Sequence, residues 1–203
     1  MCVFECENPV QKPFFFNREK ELQTLISAVK EVEKGQGRIF LILGSKKMGK
    51  TSLIKEFLRI CKQSKINFLV FTPTKQISYS ILRSYIISVA KNLKRNPTIF
   101  VIENIQKIDD IEQFVQMLQE IINEYPALTF MLTGLGYIKV GKTLIFTEKL
   151  FEKAATIYLK PITEKECLNF LKQRYKEAGI KFDQDALREI VKMGEDIHGY
   201  CKK

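Results

Sequence analysis

The 203-residue chain contains no tryptophan and a single histidine, His198. Its five cysteines, Cys2, Cys6, Cys61, Cys167 and Cys201, are scattered, and no two of them have CxxC spacing. A structural zinc site takes about four ligands, so this set favours reduced, mostly structural thiols over a metal centre or a disulfide framework. No apolar run approaches the ~20 residues needed to span a bilayer. The first residues lack the basic start and apolar core of a secretory signal. The expectation is a cytoplasmic protein with no membrane segment. Acid is scarce in one region: residues 38–108 hold fourteen Lys or Arg against only Glu56 and Glu103. That segment carries +12 in a chain of net charge +10. Such a field suits a phosphate ligand. Its surplus either attracts nucleic acid or another polyanion, or is solvated, solubilising surface. Both readings stand at this level.

Hydrophobic content of 45% and charged content of 28% fit an ordinary globular protein, with length for one α/β core plus a small accessory domain. Residues 1–16 read as irregular, with Pro9, Pro13 and Phe14, Phe15 and Phe16. Asn17 is placed to cap a helix over 18–33 that carries Leu22, Leu25, Ile26 and Val29 at helical spacing, and Gly35 and Gly37 end it. Apolar, β-favouring runs at 38–43, 66–71, 98–102, 128–132 and 155–159 predict five core strands. Helices are predicted to about residue 62, over 77–93, over 111–122 and, briefly, over 148–153. Ile81, Leu82, Tyr85, Ile86 and Val89 mark the apolar face of the 77–93 helix. Strands alternating with helices imply a parallel sheet with right-handed crossovers. After Pro161 the pattern becomes purely helical. Thr163 caps a helix over 164–178 with Glu166 as its capping-box partner, Asp183 opens another to about Met193, and 195–203 start a further one. The predicted division is a core over 1–160 and a small helical unit over 161–203.

One motif is specific. Gly44, Ser45, Lys46, Lys47, Met48, Gly49, Lys50 and Thr51 form a complete G-x-x-x-x-G-K-S/T phosphate-binding loop between a predicted strand and a predicted helix. The glycines permit a tight turn whose N–H groups point at phosphate oxygens. Lys50 can reach the β- and γ-phosphates, Thr51 offers a hydroxyl to Mg²⁺, and Ser52 follows in the first helical turn. At the end of the third predicted strand stands Glu103, where a triphosphatase places the acid that holds Mg²⁺ through water. An ordinary strand-end carboxylate is the alternative. Asn104 takes the next position, where a water-polarising glutamate often stands, and an amide cannot accept a proton.

These residues carry a resemblance. Residues 14–22 look like the "F-x-x-R-E-x-E-L" segment of the archaeal ATPase family, P-loop ATPases near the AAA+ and STAND groups and related to the origin-recognition ATPases. Residues 102–106 resemble its "h-D-E-h-Q" segment with both acids altered, and Leu132, Thr133 and Gly134 its "L-T-G" strand end. Residues 159–162 are similar to its "L-x-P-L" approach to the lid, and 196–200 to its "G-h-P-x-Y" segment, with His198 where proline is usual. The resemblance implies a five-stranded sheet of order 5-1-4-3-2 sandwiched by helices, a C-terminal helical lid, and ATP or ADP with Mg²⁺ as ligands. It implies that Thr133 senses the γ-phosphate and that Arg18, the loop before it and the lid enclose the base. Thr133 as a strand cap and Arg18 as a solvated helix start are the alternatives. No residue identifies itself as an arginine finger; Arg174 and Arg188 are candidates that nothing in the sequence supports. The sequence stops soon after the lid, with no DNA-reading module in view.

The functional expectation is an ATP-binding switch with slow hydrolysis, acting through a protein partner. The second reading is a nucleic-acid-associated ATPase, tied to replication or mobile elements. The +12 segment favours it, and if Lys46, Lys47, Lys62, Lys65, Lys91, Lys94 and Arg95 share one face, weak binding of DNA or RNA without sequence preference is expected. A small-molecule kinase comes third, because residues 161–203 balance nine Lys or Arg against eight acids and offer no clear phosphate clamp.

Overall fold

The computed structural model describes residues 16–34, 36–64, 66–93, 96–140, 142–181 and 183–198. The chain runs α1 (Glu19–Glu33), β1 (Ile39–Leu43), α2 (Lys50–Gln63), β2 (Asn67–Phe71), α3 (Tyr79–Leu93) and β3 (Thr98–Ile102). After a 3-10 turn (Ile105–Lys107) come α4 (Ile111–Glu124), β4 (Leu128–Gly134), β5 (Tyr137–Val140), β6 (Thr143–Phe146) and α5 (Thr147–Leu150). β7 (Ala155–Tyr158), α6 (Glu164–Glu177) and α7 (Gln184–His198) complete it.

Five strands form one parallel sheet in the order β2-β3-β4-β1-β7. With β7 as the fifth core strand, this is the expected 5-1-4-3-2 order read from the other edge. β1, β3 and β4 are buried along their whole length, which is why their sequences are mostly apolar rather than alternating, with Thr98, Thr129 and Thr133 the polar exceptions. Alternate side chains feed two cores. Phe40, Ile42, Val101 and Met131 meet α1 and α2 through Leu25, Leu53 and Phe57. Leu41, Leu43, Phe100 and Leu132 meet α3 and α4 through Leu82, Ile86, Phe114 and Leu118. Each such side chain contributes roughly 1.5–3 kcal/mol by leaving water. The phosphate loop and the ends of β3 and β4 therefore gather at one end of the sheet, on its most buried strands.

α6 and α7 pack on each other around a small core of their own, Leu171, Leu187 and Val191. Thr163 accepts from the Glu166 backbone N–H while the Glu166 carboxylate accepts from that of Thr163, the predicted capping box. No helix among the described residues is long and apolar enough to cross a membrane.

Several local expectations are corrected. α1 starts at Glu19, and Asn17 takes a left-handed φ of 56° with its N–H on the Glu19 carboxylate rather than capping the helix. Gly37 closes no helix: it donates to the Pro126 carbonyl, and a Cβ there would lie 2.0 Å from the Leu128 oxygen. Of the predicted face of α3, Leu82 and Ile86 are buried, with Ala90 beside them, but Ile81 and Tyr85 are exposed. Tyr85 lies beside Phe71 of the edge strand β2, ring centroids 6.5 Å apart, so this side of the helix reaches the rim of the sheet. α7 continues unbroken to His198, with no second helix starting at 195. The β5–β6 hairpin was not foreseen. Phe14, Phe15, Gly199 and Tyr200 lie outside the described residues.

Candidate functional site

Gly44 leaves β1 at the sheet's C-terminal edge, and its N–H donates to the Gly134 carbonyl at the end of β4. Ser45, Lys46 and Lys47 are exposed, while Gly44, Met48, Gly49, Lys50, Thr51 and Ser52 are half-buried. Lys47 has a φ of 64° and Gly49 one of 86°, so the loop bends back on itself into α2. Gly49 stands at the N-cap position with no side-chain cap, and the first turn of α2 holds no acid. The N-terminal N–H groups of a helix need acceptors, and here the sequence supplies none from a capping side chain. Anion binding at a helix start follows from that arrangement.

The Lys50 ammonium donates to the carbonyls of Gly44 and Ser45, both at 2.7 Å. Burial pushes its pKa down, and the nearby Glu103 carboxylate partly restores it. Next to it the Thr51 hydroxyl donates to Glu103 Oε1 at 2.8 Å. Oε2 of the same carboxylate accepts from Thr72 at 2.8 Å. Glu103 is itself buried, 6% exposed, so two hydroxyls hold a charge that solvent does not reach. Sequence reasoning missed Thr72. The signal was the register: β2 and β3 pair Phe71 with Ile102, which sets the next residues, Thr72 and Glu103, side by side.

Asn104 has a left-handed φ of 55° and turns the chain into the 3-10 segment. Asn tolerates that conformation better than most residues. Its backbone N–H donates to the hydroxyl of Thr133, which is 2% exposed. Gly134 follows, and a Cβ on it would meet Ile105 at 2.7 Å, so the β4 end and the 103–105 segment are closely packed.

Arg18 is not solvated. It is 6% exposed, with Nη2 donating to the Met48 carbonyl of the loop at 3.5 Å and to the Lys160 carbonyl, and Nη1 to Glu21. It thus ties the loop to the approach of α6. Phe16 stacks on Phe170 of α6, ring centroids 3.9 Å apart.

Lys50, Thr51, Glu103, Asn104 and Thr133 converge, and Arg18 backs the loop. Arg174 and Arg188 do not join them. They sit on α6 and α7 and pair within their own helices, with Glu177 at 2.6 Å and Asp185 at 3.1 Å. The basic residues do not form one face either. Lys46 and Lys47 lie at the loop, whereas Lys62 and Lys91 end α2 and α3, at the opposite end of the sheet. Lys65, Lys94 and Arg95 lie outside the described residues. Among the described residues no group of three or more His, Cys, Asp or Glu could hold a metal ion alone. Thr51 and Glu103 fit a Mg²⁺ whose remaining ligands are phosphate and water, the mode usual for that ion.

Comparison with known proteins agrees with this geometry. Residues 15–94 match the family model of the AAA ATPase domain. No curated protein matches significantly. Among solved structures, a Walker-type ATPase of Pyrococcus abyssi is similar at 16% identity and a TM-score of 0.59, over 92% of this chain and 65% of that one. Cdc6p from Pyrobaculum aerophilum matches at 15% identity and a TM-score of 0.64, over 92% and 57%. Drosophila ORC, solved bound to DNA, matches at 13% identity and a TM-score of 0.67, over 90% and 52%. The chain thus spans between about half and two thirds of these structures, and identities this low speak for the fold. The phosphate loop, the sheet order and the match over residues 15–94 agree on a fold like that of the AAA-type P-loop ATPases.

Proposed function

We propose that the chain binds ATP or ADP with Mg²⁺ on the 44–51 loop and works as a slowly hydrolysing nucleotide switch. The carrying observation is the Thr51–Glu103–Thr72 arrangement beside the Lys50 ammonium. In this reading Lys50 leaves the loop carbonyls for the outer phosphates. Thr51 and Glu103 hold the ion, which neutralises charge on the phosphate oxygens when bound. Thr133, linked to the Asn104 backbone, faces the γ-phosphate and senses its loss. Residues 1–160 are the core and 161–203 the lid. Arg18 and the segment before it, joined to both, enclose the base. Ordering of the lid then changes the surface offered to a protein partner in the cytoplasm.

Asn104 is the reason for slow turnover, since an amide can orient water but takes no proton from it. Calorimetry should show ATP–Mg²⁺ binding in the low-micromolar to sub-millimolar range. Turnover should stay well below ~1 s⁻¹, a modest enzyme rate. Asn104→Asp, which keeps a residue tolerant of the left-handed φ, should raise it. Turnover by the native chain at that rate or faster would mean that another residue supplies the base.

A second reading, a nucleic-acid-associated ATPase, draws support from likeness to an ORC structure solved on DNA, while the lysines of the +12 segment divide between opposite ends of the sheet. Turnover measured with and without duplex DNA separates the two: stimulation favours the second, indifference the first.

A further inference from the structure

β5 and β6 form a two-stranded antiparallel ribbon that stands apart from the main sheet. Its register pairs Tyr137 with Phe146, Ile138 with Ile145, Lys139 with Leu144 and Val140 with Thr143. Ile138 is buried and Val140 packs on the core between the sheet and α4, which fixes the inner face. The outer face carries the pairs Tyr137–Phe146 and Lys139–Leu144. Tyr137, Leu144 and Phe146 are 53%, 69% and 45% exposed, an unusual density of large apolar side chains for ten residues of surface. The two rings lie 4.7 Å apart with planes tilted by 39°, so they form one continuous aromatic platform.

Charge tells what that platform fits. Lys139 stands on the same face, Lys142 is exposed near the ribbon's end, and the Lys149 ammonium lies 5.9 Å over the Phe146 ring. The one acid in 137–149, Glu148, has its carboxylate taken by the Tyr158 hydroxyl. Two adjacent half-exposed rings edged by cations are what a single strand needs: π-faces for unstacked bases and ammonium groups for phosphates. A duplex offers its bases only by their edges. An apolar protein partner gains nothing from the lysines.

We propose that the β5–β6 ribbon is a binding platform for single-stranded nucleic acid, with bases stacking on Tyr137 and Phe146 and with Lys139, Lys142 and Lys149 on the phosphates. The ribbon is held rigidly for this work. The Thr147 hydroxyl donates to the Leu135 carbonyl and its N–H to that of Gly136, clamping the base of the ribbon to the exit of β4.

The test uses the whole chain without nucleotide and a labelled twenty-residue oligothymidine, read by anisotropy. Binding should appear at 50 mM salt and weaken about twentyfold by 200 mM, the slope expected for three contacts on a single strand. Tyr137→Ala and Phe146→Ala should each weaken it about tenfold or more, while Tyr137→Phe restores it. Both sites are exposed, so circular dichroism and melting temperature should not move. The chain has no tryptophan, so Phe146→Trp gives a clean emission signal that stacking should quench. A duplex of equal length should bind at least tenfold more weakly. Absence of oligothymidine binding at 50 mM salt, or binding indifferent to both alanine variants, overturns the proposal. So does a native dimer that Phe146→Ala turns into monomer while oligothymidine binding is unchanged.

Discussion

Two helix starts in this molecule meet the same physical problem in opposite ways. α6 begins with Thr163 and Glu166 bonded reciprocally, with Glu164 adding negative charge in the first turn. Its N–H groups and dipole are answered by its own sequence. α2 begins at Gly49, without a side-chain cap and without an acid in the first turn. Half-buried next to it is a lysine whose ammonium rests on loop carbonyls. The first arrangement is complete as it stands. The second leaves positive potential unanswered, the setting that suits a phosphate group. A helix terminus speaks for function when local means of satisfying it are absent and a cation is added instead.

The comparison breaks most sharply at Lys50. Lys50→Ala should remove measurable ATP binding, because a charge-assisted contact worth roughly 1.5–3 kcal/mol is lost. Calorimetry checks this, and unchanged affinity would sink the nucleotide site. Gly49→Ala comes next. Its φ of 86° is left-handed, so a Cβ costs about 1–2 kcal/mol even though nothing in the protein lies within 4 Å of it. Melting temperature should fall, and ATP should recover less of it than in the native chain.

Thr163→Ala should cost about 1 kcal/mol in α6 by removing its cap. Hydrogen exchange should rise in 164–177, with α2 unaffected. The smallest effect concerns pH. The Thr163 backbone N–H, then its hydroxyl and the Asn17 side chain, hold the Glu166 carboxyl below the usual range. A depressed carboxyl stabilises the fold fully above its unfolded pKa, roughly 4.3, and loses that contribution as pH falls through the folded value. Amide protection in α6, measured against the intrinsic exchange rate at each pH, should therefore fall on acidification below that point, and Glu166→Gln should flatten the dependence. A native-like profile in Glu166→Gln would assign the acid response to another group.

Much of this was legible beforehand. The phosphate loop, the five strands, Glu103 at the end of β3 and the capping box follow from local pattern, whereas the strand order came from the family resemblance. Buried parallel strands are apolar runs, and caps are fixed by residues three apart. The β5–β6 ribbon escaped because its residues are mostly exposed and alternate weakly over only four positions per strand. Asn104 was legible as an absent base but not as a left-handed turn. The outer side of α3 was misread because helical period cannot say where a sheet ends.

What the amino-acid sequence determined by itself is the chemistry available: a lysine and a threonine at fixed offsets on a glycine loop, an acid after the third strand, an amide where a base could stand. Those depend on short stretches of chain and on side-chain type. Only the tertiary structure decided which groups meet. Thr72 reaches Glu103 across 31 positions, Arg18 reaches the Lys160 carbonyl across 142, and the lysines of 38–108 divide between opposite ends of the sheet. Such pairings are set by strand register and crossover direction, which bring together residues whose separation along the chain carries no signal.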